Sequence, residues 1–392
     1  MFTFGINKEN RILEQGLIII SFFYYFFMSV FTRLPFSRWM IAAVLAVEIF
    51  YVIYKNPSFS LTFTVSYVIL NLLAVVNVFV YGSDILYEYL PQYLLVILPM
   101  MLAGYLIDFE KNDTFIYYVS VVYEIALFAY VVLIYTRANQ ISVQNINYMG
   151  FAYNVLPAFL VIISRFFRKQ TLLRLAFVLI GVVYLIMCGT RGPLICAAVF
   201  FLLSAAVNFR TLDRRTVAAG AVLMAAGVVV LVNIQKIAQM LFPVFIRLHL
   251  STRILNYFIY INESTSLTGR NLLYAQILEN IDAHPAIGSG LMSDRLILDG
   301  VYTHNLFLEI INAFGLPLGV LLIAALGFLL IRGFLGTRSI AYKNYICVFF
   351  AASVIRLLFS YSFMEDIHFY MMLGLCFSAY EKHGIHSRER NT

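Results

Sequence analysis

The sequence predicts an all-α, polytopic membrane protein of about twelve transmembrane helices with one large, partly helical outer loop. Two observations predict this class. Of the 392 residues, 62% are hydrophobic and only 12% are charged, whereas soluble domains carry roughly 25% charged residues. Apolar windows long enough to cross a hydrocarbon core of about 30 Å also recur along the whole chain. We therefore expect one membrane-embedded domain over residues 1–392.

Twelve windows are apolar enough to be transmembrane helices. They lie near residues 14–31, 39–54, 61–80, 92–107, 115–135, 151–166, 171–188, 192–208, 216–235, 316–332, 341–360 and 363–380. No small-residue cleavage site follows the first window, so we expect a retained span rather than a signal peptide. An even number of spans places both termini on the same side of the membrane.

The distribution of Lys and Arg predicts that this side is cytoplasmic. Basic residues concentrate in the short connections on the side of the termini, and cytoplasmic connections carry such an excess. The opposite side has few basic residues in or beside short connections, namely Arg33, Arg38, Arg137, Arg191 and Arg356. This pattern explains the formal net charge of +7, so no nucleic-acid partner is expected. The four cysteines lie in apolar windows without paired spacing, which argues against a disulfide framework or a thiolate metal site.

A long outer loop at residues 236–303 separates the ninth and tenth windows. Within it, Arg270 to Ile281 has apolar residues at helical spacing, and His284-Pro285 would end that helix. A second helix is expected to begin with Thr303 as its N-cap and to be interrupted near Gly315 and Pro317. Loops of this length are usually functional or disordered, and the periodic pattern favours an ordered, functional one.

Two arginines in outer connections are candidate binding residues. Arg191 lies in the segment Thr190 to Pro193, where Gly192 and Pro193 suit a tight turn. Arg270 follows Gly269 at a predicted helix start, where unpaired N–H groups and a guanidinium together suit phosphate. The alternatives are an interface anchor for Arg191 and solvated surface charge for Arg270.

The histidines of the outer loop are the other candidates. His304 can accept a proton near neutral pH, and Asn305 could orient His304 or a sugar hydroxyl; a structural role for His304 is the alternative. The glycine-rich segment from His284 to Gly290 indicates a tight turn rather than a phosphate loop, because no strand precedes it. A divalent metal site built from His249, His284 and His304 with Asp282, Asp294 or Glu309 has irregular spacing and is disfavoured.

Three ionisable residues fall within predicted spans. Glu48 and Glu124 lie near the middle of their windows, and Arg356 lies in the eleventh. An ionisable group in hydrocarbon requires a partner or a cavity. We therefore consider pairing among these three residues as a hypothesis.

The order of these motifs resembles the O-antigen polymerase and O-antigen ligase family. The resemblance rests on TGRNLLYAQILENIDAHPAIGSG at 268–290, THNLFLEIINAFGLPLG at 303–319 and TRGP at 190–193. It implies a membrane glycosyltransferase of the C type in the bacterial plasma (inner) membrane. The implied donor is a glycan linked to undecaprenyl pyrophosphate, used at the outer face without a metal or other cofactor.

The resemblance also implies roles for individual residues. Arg191 and Arg270 would bind the pyrophosphate and stabilise the charge that grows as the glycosidic bond breaks. His304 would activate the acceptor hydroxyl, Asn305 would help fix His304, and His284 would contact substrate. Direct displacement at the anomeric carbon would invert its configuration. The donor and acceptor glycans and the bilayer are then the partners, and a chain-length regulator and a flippase are left open.

Two departures from many ligases bear on the activity. Three residues separate Gly315 from Gly319 where many ligases have two, and Thr190 stands where serine is common. They favour a polysaccharide polymerase, which joins lipid-linked repeat units of O-antigen, capsule or exopolysaccharide. Ligase-type transfer to a different acceptor is the alternative, followed by a lipid-linked glycan flippase or transporter, which would not need the outer-loop histidine.

Overall fold

The computed structural model describes residues 8–31, 59–136, 148–188, 190–209, 233–247, 252–260 and 270–383, with five isolated helical positions between 43 and 54. Every element within these ranges is a helix. The helices are α1 Lys8–Phe31, α2 Leu61–Tyr81, α3 Asp84–Gln92, α4 Met100–Leu106, α5 Asp113–Thr136, α6 Tyr148–Arg168, α7 Leu172–Cys188, α8 Arg191–Asn208, α9 Ile234–Arg247, α10 Arg253–Ile259, α11 Arg270–Ala283, α12 Ser293–Ile297, α13 Leu306–Gly336, α14 Ile340–Phe349 and α15 Ile367–His383. Two π-helical turns, Tyr93–Ile97 and Phe350–Ile355, follow α3 and α14.

Six helices within the described ranges are long and apolar enough to cross a membrane. They are Leu61–Tyr81, Asp84–Leu106, Asp113–Leu133, Met149–Arg168, Arg191–Asn208 and Leu306–Gly336. Leu172–Cys188 and Ile340–Ile355 are shorter apolar helices. These findings confirm a polytopic, helical membrane protein. The count of twelve spans stays a prediction, because most of the windows at 216–235 and 39–54 lies outside the described residues.

Local sequence explains where several helices begin. The hydroxyls of Ser60, Ser83 and Ser339 accept hydrogen bonds from N–H groups in the first turns of α2, α3 and α14. These bonds satisfy donors that a helix start otherwise leaves unpaired. In α11, the predicted helix from Arg270 is confirmed, and it ends at Ala283 directly before His284-Pro285. Proline accounts for that end, because it disfavours helical geometry in the residue before it.

The chain forms two compact units. The first contains residues 1–116 and 269–392, and the second contains residues 117–268. In the first unit, α4 and α15 cross at backbone distance: a Cβ added to Gly104 would collide with the carbonyl group of Met371, and one added to Gly374 would collide with that of Met101. Such close crossings at small residues are a common way to pack helices in membranes. The outer-loop segment from Arg270 onward belongs to this first unit.

In the second unit, α6 packs against α7 and α8. The hydroxyl of Tyr184 on α7 donates to the carbonyl oxygen of Phe151 on α6 over 3.1 Å. Gly181 leaves room for the Glu124 carboxyl and the Phe159 ring, since a Cβ there would overlap both. The helices α9 and α10 also lie in this unit and share a small apolar core of Ala238, Phe245 and Leu255.

Candidate active site

The segment before α13 is fixed by hydrogen bonds that the sequence pattern does not reveal. The helix begins at Leu306, and the side-chain oxygen of Asn305 caps it by accepting from the N–H groups of Phe307 (3.0 Å) and Leu308 (3.2 Å). The prediction that Thr303 is the N-cap is therefore wrong. Thr303 is instead fully buried, and its N–H and hydroxyl both donate to Asp294 Oδ2, over 2.8 and 3.0 Å.

His304 occupies an unusual backbone conformation at this point. Its φ is 58°, in the left-handed region that non-glycine residues rarely adopt. Its ring lies against the Tyr302 ring with centroids 4.1 Å apart, and the hydroxyl of Tyr274 donates to its carbonyl oxygen over 3.4 Å. The Nδ1 atom is buried and has no hydrogen-bond partner within the described part of the chain. Such strain and an unused ring nitrogen are typical of functional positions.

Electrostatics keep His304 neutral. Burial, together with the nearby Arg270 guanidinium, lowers the pKa of His304 to about 4, and Asp294 partly opposes this shift. Burial and a neighbouring positive charge both disfavour the protonated imidazole. A neutral ring is the form that can accept a proton. The same interaction shows that the structure brings two predicted site residues, Arg270 and His304, together in the first unit.

Arg295 is a buried cation that sequence reasoning missed. It lies on α12 with 4% of its surface exposed. Its guanidinium is 3.0 Å from Asp294, 3.7 Å from Glu365 and 4.0 Å from Glu309. The three carboxylates outweigh the cost of burial and raise the pKa of Arg295 above its ordinary value. Because these carboxylates come from three separate elements, Arg295 ties together the segments around His304.

Two tyrosine rings and a serine complete this cluster. The rings of Tyr89 and Tyr302 each lie 5.8 Å from the Arg295 guanidinium, close enough for a cation–π contact. Glu309, in the first turn of α13, accepts a short hydrogen bond from the Ser362 hydroxyl. Tyr302 thus contacts both Arg295 and His304. We refer to Asp294, Arg295, Glu309, Ser362 and Glu365 as the Arg295 cluster.

The turn from His284 to Gly290 docks against a break in α13. Helical geometry fails at Gly315, whose φ is 74°. There the N–H groups of Ser289 and Gly290 donate to the carbonyl oxygens of Asn312 and Ala313, over 2.8 and 3.0 Å. A Cβ at Gly288 or Gly315 would collide with the backbone of the other segment. The tight-turn interpretation is confirmed, and the glycines serve close backbone packing.

The break agrees with the predicted course of this helix. The predicted interruption of the helix near Gly315 is confirmed, and helical geometry resumes after the kink and continues to Gly336. The carbonyl group of Pro285 accepts from the N–H of Leu316 over 2.8 Å, and so satisfies a donor that the break releases. The part of α13 after the break covers the predicted window at 316–332 and ends four residues beyond it.

The other two predicted site residues are His284 and Arg191. His284 is exposed at the end of α11, with Nδ1 3.2 Å from the carbonyl oxygen of Asn280. Arg191 belongs to the second unit, where it is half-buried and is the first residue of α8. The predicted tight turn at Gly192-Pro193 is wrong, because both residues lie in the first turn of α8. Proline is tolerated there because the N–H group that it lacks would have no acceptor within the helix. The convergence of Arg191 on His304 stays a prediction.

The ionisable residues of the spans differ in their surroundings. Glu48 lies outside the described residues. Arg356 is buried and 3.5 Å from Asp366, with its guanidinium 4.1 Å above the Tyr361 ring. Its acidic neighbour is thus a residue that the pairing hypothesis did not include. Glu124, in the second unit, is fully buried, and neither carboxylate oxygen has a hydrogen-bond partner within the described ranges.

Comparisons with known proteins agree with this organisation. Residues 175–323 match a family model described as O-antigen ligase, and this stretch includes Arg191, Arg270, His284, Arg295 and His304. A comparison with curated proteins gave no match. The match supports a relation of residues 175–323 to the O-antigen polymerase and ligase family, and the apolar helices indicate an integral membrane protein.

Proposed function

We propose that the chain is a bacterial polysaccharide polymerase that joins oligosaccharide repeat units carried on undecaprenyl pyrophosphate. The observation that carries this proposal is a neutral, strained His304 beside Arg270 within a family segment of a membrane protein. The charge pattern predicts cytoplasmic termini, and this segment would then face the outer side of the plasma membrane. Repeat units of O-antigen, capsule or exopolysaccharide are the substrates considered.

The donor's pyrophosphate would be held by Arg191 and Arg270. Each is the first residue of its helix, α8 and α11. Helix starts present unpaired N–H groups and the positive end of the helix dipole to an anion, and a guanidinium adds two parallel donors. The charge that develops on the leaving pyrophosphate would be stabilised in the same way. These cations perform the task that a divalent metal performs elsewhere, so we propose a metal-independent reaction.

His304 would be the general base. The acceptor hydroxyl oxygen forms a bond to the anomeric carbon, the bond from that carbon to the pyrophosphate oxygen breaks, and the hydroxyl proton moves to His304. Displacement from the opposite face inverts the anomeric configuration. A pKa of about 4 would make His304 a weak base, but a bound pyrophosphate would raise this pKa by its negative charge. Donor binding would therefore make His304 a stronger base.

The neighbours of His304 would position it and the sugars. Asp294 fixes the N–H and hydroxyl of Thr303, and thereby the backbone that holds His304 in its left-handed conformation. The side-chain oxygen of Asn305 is committed to capping α13, so its amide nitrogen is the group that would reach a sugar hydroxyl. His284, exposed at the end of α11, would contact the glycan at a greater distance from the reaction.

The products of a reconstituted reaction distinguish a polymerase from a ligase or a flippase. Purified protein is reconstituted in vesicles with lipid-linked repeat units, and the products are resolved on a gel. A ladder of lipid-linked oligomers, unaffected by EDTA, supports the proposal. Transfer only to a different lipid acceptor indicates a ligase. Movement of intact donor across the bilayer without bond formation indicates a flippase, and loss of product with EDTA contradicts the metal-independent mechanism.

The same assay tests the residues. Arg191→Ala and Arg270→Ala are expected to abolish the ladder while the protein stays folded in the membrane, and His304→Ala should reduce turnover more than donor affinity. Arg338→Ala, which removes an exposed arginine from the connection after α13, is the matched control and should behave as wild type. A normal ladder from any of the first three variants removes that residue from the mechanism.

A further inference from the structure

The first unit contains a long apolar groove between α2, α13 and α15. The groove encloses about 380 Å³. Its lining extends from Phe369 to Glu381 on α15, about 18 Å at 1.5 Å per residue, and from Ile310 to Arg332 on α13 across the break at Gly315. We refer to it as the α2–α13–α15 groove.

The middle of the groove offers almost nothing to a polar ligand. Aliphatic and aromatic side chains form most of its wall. Two of the tyrosines that line it, Tyr93 and Tyr370, bond to each other through their hydroxyls over 3.0 Å. Their polar atoms are therefore already satisfied. Since burial of hydrocarbon is the favourable interaction that such a wall provides, the ligand is a hydrocarbon chain.

Polar groups mark the two ends of the groove. At one end, Ile310 and Phe363 directly follow Glu309 and Ser362, which belong to the Arg295 cluster. At the other end, Glu381 accepts hydrogen bonds from Ser60 (2.6 Å) and Tyr105 (3.1 Å). There the Arg332 guanidinium also stacks 3.7 Å above the Tyr380 ring. Charged and aromatic residues of this kind concentrate at the two surfaces of a membrane, so the groove crosses the hydrocarbon region.

We propose that the α2–α13–α15 groove binds the polyprenyl chain of the lipid-linked donor. This inference rests on the proposed function. A phospholipid acyl chain ends near the bilayer midplane, about 15 Å from the surface, whereas the groove continues past that depth between its polar ends. A single chain that fills it must be longer than an acyl chain. Its outer end adjoins the Arg295 cluster, so a chain seated there delivers its headgroup beside α13 and His304.

Two adjacent alanines on α13 provide the test. Ala325 lines the groove, whereas Ala324 is exposed on the same helix outside the lining. Tryptophan at either position adds the same volume to the same helix. Donors with the same glycan and pyrophosphate, on either a full-length or a two-isoprene chain, are compared by kcat/KM. Wild type and Ala324→Trp should prefer the long chain at least tenfold. Ala325→Trp should lose that preference through a higher KM for the long donor.

Equal use of both donors by wild type, or an unchanged preference in Ala325→Trp, overturns the groove proposal while leaving a polymerase in place. If wild type makes no polymer, the proposed function fails, and binding still tests the groove. A polyprenyl phosphate with a photoreactive group at mid-chain should label peptides of α2, α13 and α15, and Ala325→Trp should reduce that labelling. Labelling of all lipid-facing helices, or equal competition by phospholipid, shows adventitious lipid contact and overturns the proposal.

Discussion

Arg295 in the first unit and Glu124 in the second are both buried ionisable residues, and their surroundings are opposite. Arg295, 4% exposed, has three carboxylates within 4.0 Å and two aromatic rings around it. Glu124, 0% exposed, lies against Gly181 and Phe159, and its oxygens have no hydrogen-bond partner in the ranges that the structure describes. Burial alone therefore does not distinguish the roles of these two residues.

This difference shows that a buried charge stabilises a site when partners from several segments surround it. A charge that is removed from water costs several kcal/mol unless ion pairs and hydrogen bonds compensate for it. Around Arg295 this compensation connects α12, α13 and the loop before α15, so the charge fixes distant segments of chain relative to each other. Glu124 makes no hydrogen bond to any described residue and so links no such segments there. We therefore expect substitutions at Arg295 to affect the whole unit and a neutral isostere at Glu124 to have little effect.

The largest effect is expected from Arg295→Met. This change leaves Asp294, Glu309 and Glu365 without their common cation in a buried setting, and removal of one partner of such a cluster costs about 3–5 kcal/mol. We expect a clear fall in the thermal unfolding midpoint of the purified protein in detergent. Arg295→Lys keeps the charge and should lose less. An unfolding midpoint for Arg295→Met within a degree of wild type would show that the cluster does not stabilise the unit.

Asp294→Asn is expected to act mainly on turnover. The amide keeps the volume of the carboxylate but weakens the hold on Thr303 and one ion pair of Arg295. Since a displacement of about 1 Å in a catalytic group can cost about 100-fold in rate, we expect kcat to fall about 10- to 100-fold with KM little changed. Asp299→Asn, at an exposed position nearby, is the control. Equal behaviour of the two variants would remove Asp294 from the positioning of His304.

The pH dependence tests the electrostatics of His304. The reactive form is the neutral imidazole, so activity is lost as pH falls through the pKa. For kcat/KM, which reports the free enzyme, this acid limb should lie near pH 4, with no His304-dependent change between pH 5 and 8. For kcat the limb should lie at higher pH, because bound pyrophosphate favours the protonated ring. Acid limbs at the same pH in both profiles would contradict the proposed effect of donor binding.

The smallest effect is expected from Glu124→Gln. The amide is close in size to the carboxyl, and no ion pair is lost from the described surroundings of Glu124. We expect the unfolding midpoint and the polymer ladder to be close to those of wild type. Gly181→Ala serves as a comparison, because its added Cβ would collide with the Glu124 carboxyl and the Phe159 ring, and it should lower the unfolding midpoint. A loss of polymer in Glu124→Gln would assign this carboxyl a function.

Hydropathy and the spacing of apolar residues predicted the features that depend on local sequence, namely the helices and their ends. Hydropathy located the spans observed at Leu61–Tyr81 and Met149–Arg168, because a helix in lipid must be apolar over its length. The helix from Arg270 and its end before His284-Pro285 were likewise evident from helical spacing and proline. Misplacement of the N-cap at Thr303 had a specific cause: threonine suits that role, but here its hydroxyl bonds to Asp294 instead.

Contacts between distant residues could not be predicted in the same way. Arg295 stands in an unexceptional loop segment, and its partner Glu365 is 70 positions away along the chain. Glu309 was considered only as a metal ligand, since nothing in the local sequence indicates that Ser362 faces it. The role of Gly288 and Gly315 similarly depends on two segments meeting at backbone distance. These contacts depend on how the segments pack in three dimensions, which the spacing of apolar residues along the sequence does not reveal.

The break at Gly315 has a mechanical consequence. It divides α13 into a short N-terminal part, anchored by the turn at 284–290, and a long part that is apolar enough to cross the lipid. A transmembrane helix tilts to match the thickness of its bilayer, and an unbroken rod would transmit that tilt directly to Asn305 and His304. With a joint at Gly315, the N-terminal part can keep its orientation while the long part adjusts. Catalysis should therefore be similar in vesicles of short-chain and long-chain phospholipids.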